Sequence, residues 1–407
     1  MRIIVQKFGG TSVSTEEKRR RVAQKVIEAK TNGFTPVVVV SAMGRLGDPY
    51  ATDTLLRLAG ECGPLSKRDT DLLLSCGEII ACSLVAATLL QMQQPAVVLT
   101  GREVGIFTDS NFGDARITRV DPRRIWSHLR ENKIVIVAGF QGVTEEGEVT
   151  TLGRGGSDTT ACALGVALNA EVIDIFTDVE GIMTADPRIV DSARLLDQVT
   201  YNEICQLAYQ GAKVIHPRAV EIAMQRSIPV RVRSTFSNGP GTLVSHLSVS
   251  SEMETDFRYD RLITGVTQMA NVSQIKINIA EGPDPARSPA RIFRALADVG
   301  ISVDLINVHP ETVVFTVNAD DGRKAVEVLE QEGFLVSMLP GCAKVSVVGG
   351  GMAGMPGVMA AVCEALCSEG ISILQSADSH TTIWCLVKNE DMARAVRALH
   401  DKFALDK

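Results

Sequence analysis

From residue 1 to about residue 240, short runs of β-branched residues alternate with longer amphipathic stretches. The runs Pro36-Val37-Val38-Val39-Val40, Ala96-Val97-Val98-Leu99, Lys133-Ile134-Val135-Ile136-Val137 and Glu171-Val172-Ile173-Asp174-Ile175-Phe176 are nearly continuous in their apolar character rather than alternating. A strand that is apolar on both sides is buried on both faces. These runs therefore predict a largely parallel sheet sandwiched by helices, an α/β layered domain. Ligands of such sheets sit beyond the carboxyl ends of the strands.

The pattern changes after the turn-rich stretch Ser234-Thr235-Phe236-Ser237-Asn238-Gly239-Pro240-Gly241-Thr242 and the polar segment that follows it, which marks a domain boundary. Beyond that point the chain repeats itself with a period of 70 residues. Gly300-Ile301-Ser302 returns as Gly370-Ile371-Ser372, Ala295-Leu296 as Ala365-Leu366, Ala325-Val326 as Ala395-Val396, and Ile275 and Ile277 as Val345 and Val347. Each copy reads strand, helix, strand, strand, helix and a short closing strand, the order of a small ferredoxin-like unit. The expected domains are residues 1–245, 262–337 and 338–407, with 246–261 a candidate completion of the last.

A length of 407 residues, 45% of them hydrophobic and 22% charged, agrees with two or three globular domains. The formal charge of −7 gives no electrostatic reason to expect nucleic acid or an anionic membrane as partner. Met1-Arg2-Ile3-Ile4-Val5-Gln6-Lys7 reads as a first strand, because it lacks the apolar region of a secretory signal. No run reaches the roughly 18 uninterrupted apolar residues of a membrane span, so a cytoplasmic protein is expected. The nine cysteines show no Cys-x-x-Cys pair and read as small core residues, and no metal-ligand set is expected.

Five stretches carry candidate chemistry. Lys7-Phe8-Gly9-Gly10-Thr11-Ser12 places a lysine and two glycines where the first strand should end and a helix begin. Glycines let backbone amides approach a phosphate, and the lysine adds a mobile point charge. This is not the P-loop pattern, and a plain tight turn would explain the glycines taken alone. In Gly153-Arg154-Gly155-Gly156-Ser157-Asp158, helix capping explains Ser157 or Asp158 but not an arginine held among glycines, whose planar fork suits a carboxylate or phosphate. The segment from Thr177 and Asp178 through Met183-Thr184-Ala185-Asp186-Pro187-Arg188 follows a buried-looking strand; it could serve a nucleotide or be a solvated loop. Gly211-Ala212-Lys213-Val214-Ile215-His216-Pro217 brings a second lysine, and two lysines from distant parts of the chain suit phosphoryl transfer, which relies on positioning and electrostatics. Glu78, the sole acid between Leu72 and Leu90, either caps a helix or binds an ammonium group.

Together with Ser41-Ala42-Met43-Gly44 and Gly139-Phe140-Gln141-Gly142, these stretches resemble the aspartokinase family in order and spacing, over essentially the whole chain. The resemblance implies an amino-acid kinase fold followed by two ferredoxin-like ACT domains. It also implies transfer of the γ-phosphoryl group of ATP to the side-chain carboxylate of L-aspartate, giving 4-phospho-L-aspartate, the first step toward lysine, diaminopimelate, threonine and methionine. It assigns Lys7, Asp158 and Lys213 to catalysis. Aspartate would lie against Thr52, Glu78, Arg154, Gly155, Gly156 and Ser157. Lys7, Phe8, Gly9, Gly10, Ser41, Thr177, Asp178, Met183 to Arg188, Lys213 and Val214 would line the site for ATP, whose Mg²⁺ would be held mostly by phosphates and water. His216 reads as structural, since an ionised carboxylate acceptor needs no general base. The loop from Gly44 to Asp53 is longer than in many family members, which loosens the assignment of Thr52.

The paired repeat resembles the family's regulatory domains, implying an amino-acid effector (lysine, threonine or meso-diaminopimelate) near Ser302, Val303, Asp304 and Asn307 in one copy and Gln375 and Ser376 in the other. It also implies at least a dimer formed through these domains. A non-catalytic amino-acid sensor of the same fold is the competing reading, against which Lys7, Arg154, Asp158 and Lys213 all speak. Gly349-Gly350-Gly351-Met352-Ala353-Gly354 matches a dinucleotide fingerprint, but too little chain follows for a Rossmann half, and the repeat assigns this turn to the second small domain.

Overall fold

The computed structural model describes residues 1–212, 214–246, 262–279, 286–352 and 354–407. The described residues fall into two compact units. The first holds residues 1–182, 195–208 and 214–246; the second holds Met183–Arg194, Tyr209–Ala212 and 262–407.

The continuous apolar runs form the central strands of the first unit. Its eight-stranded sheet has the order Gln198–Thr200, Thr242–Ser245, Val230–Ser234, Val172–Thr177, Arg2–Phe8, Phe34–Val40, Ile134–Ala138, Ala96–Leu99. Every pairing is parallel except that of Thr242–Ser245 with Val230–Ser234. A smaller sheet of four strands carries Val149–Thr151 at one edge. Since Arg2–Phe8 lies between Val172–Thr177 and Phe34–Val40, the turn after it is flanked by the turns after both neighbours.

Helix Lys67–Gln91 is long and apolar enough to cross a membrane by length and composition, yet 56% of its apolar window is buried inside the protein. Ala81, Cys82, Val85 and Leu89 pack with Val38, Val40, Ile134 and Ile136. Each fully buried aliphatic side chain of this kind stabilises the fold by roughly 1.5–3 kcal/mol. The same buried face carries Asp71, Ser75 and Glu78, polar groups that a core helix has no packing reason to hold.

The second unit is built on a six-stranded antiparallel sheet with the order Asp304–Val308, Thr312–Asn318, Gly265–Asn278, Val336–Val348, Thr382–Lys388, Gln375–Asp378. Helices Ser288–Asp298 and Gly322–Gln331 recur 70 positions on as Val358–Ser368 and Met392–Lys402. Ile275, Ile277, Leu296, Phe315 and Leu329 make one core, and Val266, Val345, Val347, Leu366 and Leu399 make the other.

Two features differ from the expected boundaries. The strand Gly265–Asn278 serves both repeats: Gly265–Met269 pairs with Lys344–Val348, and Val272–Asn278 pairs with Thr312–Asn318. A register shift, beside Asn271 at φ +59°, separates the two halves. The second repeat is thus completed by residues that lie before the first. Met183–Arg194 also leaves the first unit, because Ala185 and Val190 are buried in the same core as Val266 and Leu399.

Candidate active site

Lys7, next to last in the strand Arg2–Phe8, holds its ammonium group 2.7 Å from Asp158 Oδ1, and both side chains are largely buried. Phe8 turns inward and stacks on Phe176 at 4.7 Å, so it offers the site only its backbone. Gly10 has no room for a side chain: a Cβ there would lie 2.3 Å from Ala42 O and 3.0 Å from Gly44 O. The turn is pinned laterally by Ser12, whose hydroxyl lies 2.7 Å from that of Thr235, and by Ser41 N–H donating to Phe8 O at 3.1 Å.

Asp158 and Ser157 stand in the first turn of helix Gly156–Ala167. The segment before it requires glycine at two positive-φ positions, Gly153 (φ +70°) and Gly155 (φ +67°), the second also closed by the His216 side chain, whose Cβ lies 2.2 Å from where a Cβ would stand. This packing gives His216 a structural role, and burial lowers its pKa. Between the two glycines Arg154 is exposed and makes no ion pair among the described residues. Such a free guanidinium on a constrained backbone suits an incoming carboxylate.

Glu78 is 2% exposed. Ala42 N–H donates to its Oε1 at 3.1 Å, while Oε2 has no hydrogen-bond partner among the described residues. Burial pushes its pKa up to about 8, against the weaker lowering effect of backbone hydrogen bonds. A buried carboxyl with one idle oxygen beside the strand-end turns is set up to receive a cation. Thr52 opens helix Thr52–Cys62 and is half-buried. The long loop before it is ordered by Asp48, which accepts from Arg45 N–H at 2.8 Å, and by Thr54, which accepts from Gly47 N–H at 2.9 Å.

Thr177 ends the strand Val172–Thr177, which pairs with Arg2–Phe8, and Asp178 follows it. Asp178 is held at 2.8 Å by Arg45, a partner that sequence reading did not single out. Met183 to Arg188 belong to the second unit: Thr184 and Ala185 are buried there, Thr184 Oγ1 lies 3.0 Å from His400 Nε2, and Asp186 binds Arg188 at 2.7 Å. Lys213 lies outside the described residues, and Val214 next to it is half-buried.

In the second unit the effector candidates meet in two clusters. Asp304 forms an ion pair with buried Lys344. Gln375 donates to Asn307 Oδ1 at 2.6 Å and to Leu305 O, and accepts from Gln274 at 2.8 Å. Ser302 and Ser376 are exposed, and Val303 is half-buried. Lys344 and Gln274 escaped the sequence reading; a lone lysine beginning the alternation of Val345 and Val347 was the available signal.

The amino acid kinase family profile matches residues 2–234, and an ACT domain profile matches residues 338–401. The chain is 51% identical to aspartokinase 1 of Bacillus subtilis, with each chain covered in full. Among solved structures, it is similar to E. coli aspartokinase III in complex with aspartate and ADP in the R-state (TM-score 0.78, 28% identity, 98% of this chain and 99% of that one). The same enzyme with lysine and aspartate in the T-state gives a TM-score of 0.76 at 27% identity, with the same coverage. The chain belongs to the aspartokinase family of amino acid kinases.

Proposed function

We propose that the protein transfers the γ-phosphoryl group of ATP to the side-chain carboxylate of L-aspartate, giving 4-phospho-L-aspartate and ADP. The observations that carry this reading lie in the first unit: the Lys7–Asp158 pair, the closed Gly10 turn, and, among the described residues, buried Glu78 with an oxygen that has no partner and exposed Arg154 without an ion pair.

The acceptor oxygen of aspartate is already ionised at neutral pH, so the chemistry requires no base. What remains is alignment and the neutralisation of charge spread over the moving oxygens. Lys7 supplies positive charge beside the glycine turn, and Asp158 fixes the direction of its ammonium group. Lys213 would add a second cation. Glu78 would take the substrate ammonium and Arg154 its α-carboxylate, leaving the side-chain carboxylate directed at the phosphate, with Gly155, Gly156, Ser157 and Thr52 around it. Backbone at Gly9, Gly10 and Ser41, with Thr177, Asp178 and Val214, would line the nucleotide site. Mg²⁺ would enter with ATP, held by phosphate oxygens and water; Asp158 and Asp178 are already engaged by Lys7 and Arg45.

The paired repeats would act as ACT domains that bind an amino-acid end product, lysine, threonine or meso-diaminopimelate, and join two copies of the chain. Lysine in the T-state structure of the E. coli relative supports an effector of this class. An enzyme that draws on ATP and free aspartate would work in the cytoplasm.

The test is turnover by the purified protein with ATP and Mg²⁺, L-aspartate against L-glutamate, the acyl phosphate being trapped as a hydroxamate. Aspartate-dependent hydroxamate is expected. No product with either acceptor would leave the sensor reading in its place.

A further inference from the structure

We infer that Asp71 is a positioning residue for the amino-acid substrate, fixing the distance between the groups that take its ammonium and its α-carboxylate; this rests on the roles proposed above for Glu78 and Arg154. Asp71 lies in the second turn of helix Lys67–Gln91 and is 1% exposed. It reaches out to two other segments. Thr151 N–H donates to its Oδ2 at 2.8 Å and Gly113 N–H to the same atom at 3.0 Å, while the Thr151 hydroxyl donates to Oδ1 at 2.7 Å.

A buried carboxylate is costly compared with an apolar residue of its size. What it offers in return is direction, because three donors aimed at one group define where their backbone must be. Two helical turns further along the same helix face stands Glu78, and three residues beyond Thr151 stands Arg154. One rigid helix thus carries the ammonium-binding carboxyl and, through Asp71, anchors the segment that ends in the α-carboxylate-binding arginine.

A second clamp works on that segment from its other side. Arg218 donates to Leu152 O at 3.0 Å and to Ala115 O at 2.7 Å, and Ala115 N–H donates to Thr151 O at 2.9 Å. Thr151 and Leu152 are therefore both fixed, Gly153 takes a glycine-only turn, and the next side chain is exposed Arg154, which makes no ion pair among the described residues. In an α-amino acid the ammonium and carboxylate groups sit on one carbon, so the two partners have little freedom of separation. A misplacement of about 1 Å in such an arrangement costs on the order of a hundredfold in rate.

The experiment compares Asp71→Asn, Thr151→Val, the double variant and Arg154→Ala in the full chain. KM for L-aspartate and kcat come from the hydroxamate assay, ADP affinity from calorimetry with ADP alone, and folding from thermal unfolding. D71N is expected to raise the aspartate KM by about tenfold or more while ADP affinity stays within about twofold. T151V, which removes one of the three donors, should give about a threefold rise, and the double variant should be no worse than D71N because both act on one contact. An aspartate KM in D71N within twofold of the parent, or equal losses of aspartate and ADP affinity, would overturn the proposal. Should D71N fail to fold, an unchanged aspartate KM in T151V would do the same. An unchanged aspartate KM in R154A would instead overturn the assignment of Arg154, and this inference with it.

Discussion

In the role proposed for it, Glu78 would be a single buried group that ties substrate binding to pH. Its folded pKa of about 8 stands above the 4.5 of an ordinary glutamate, with burial the dominant cause. For an acid whose pKa is raised on folding, the stabilising linkage is fully present below the unfolded value and is lost as pH rises through the folded one. The substrate-free protein should therefore lose stability between about pH 4.5 and pH 8, and Glu78→Gln should remove that part of the loss. Thermal unfolding of both proteins across this range checks it; parallel pH profiles would count against a buried, protonated Glu78. The proposed binding of the substrate ammonium requires the ionised form, so below pH 8 the aspartate KM should fall by up to about tenfold per pH unit as pH rises, and this slope should vanish in E78Q. Lys7 belongs to the same scale. Lys7→Ala should lower kcat by about 10²–10³, the usual cost of losing one preorganised charge-stabilising donor, and unchanged turnover would contradict the mechanism.

At the scale of elements, the glycine turn makes a contrast that needs no ligand. A Cβ on Gly10 would sit 2.3 Å from a backbone oxygen, whereas on Gly9 the nearest atoms are Lys7 Nζ at 3.6 Å and Phe176 O at 3.9 Å. Gly10→Ala should destabilise the protein by about 1–3 kcal/mol and weaken ADP binding, while Gly9→Ala should melt close to the parent. Equal melting temperatures for the two variants would show that the turn relaxes freely. The central strands were legible in the sequence because both of their faces are apolar, and the lysine, glycines and arginine of the site because such residues have no packing reason to stand at strand ends. Asp71 was not legible: an acid near the start of a helix already suits the helix dipole, and nothing local reveals that its partners are 42 and 80 residues away. Nor does a 70-residue repeat say which copy a flanking strand pairs with, so Gly265–Met269 was assigned with the repeat that follows it rather than with Lys344–Val348. The excursion of Met183–Arg194 was hidden for the same reason, since Ala185 and Val190 look like any loop apolar residues until the core they join is known.

On the scale of the whole molecule, the chain combines a unit suited to phosphoryl transfer with a repeat unit that holds a polar cluster remote in sequence from that chemistry. Gln375 accepts from Gln274 and donates to Asn307, joining strands from the two repeats, and Asp304 engages buried Lys344 close by in the same sheet. An amino acid presents an ammonium and a carboxylate, and a cluster with acid, ammonium and amide groups can answer both. Binding of such an effector to the folded protein alone raises its stability by about 2.7 kcal/mol at a concentration 100 times the dissociation constant. Thermal unfolding with lysine, threonine and meso-diaminopimelate in turn should therefore single out the effector by an upward shift in Tm, without reference to turnover. Gln375→Ala should abolish most of that shift, because it removes the amide that connects the two repeats. Persistence of the full shift in Q375A would place the effector elsewhere, and a Tm unmoved by all three amino acids would remove the case for this class of effector.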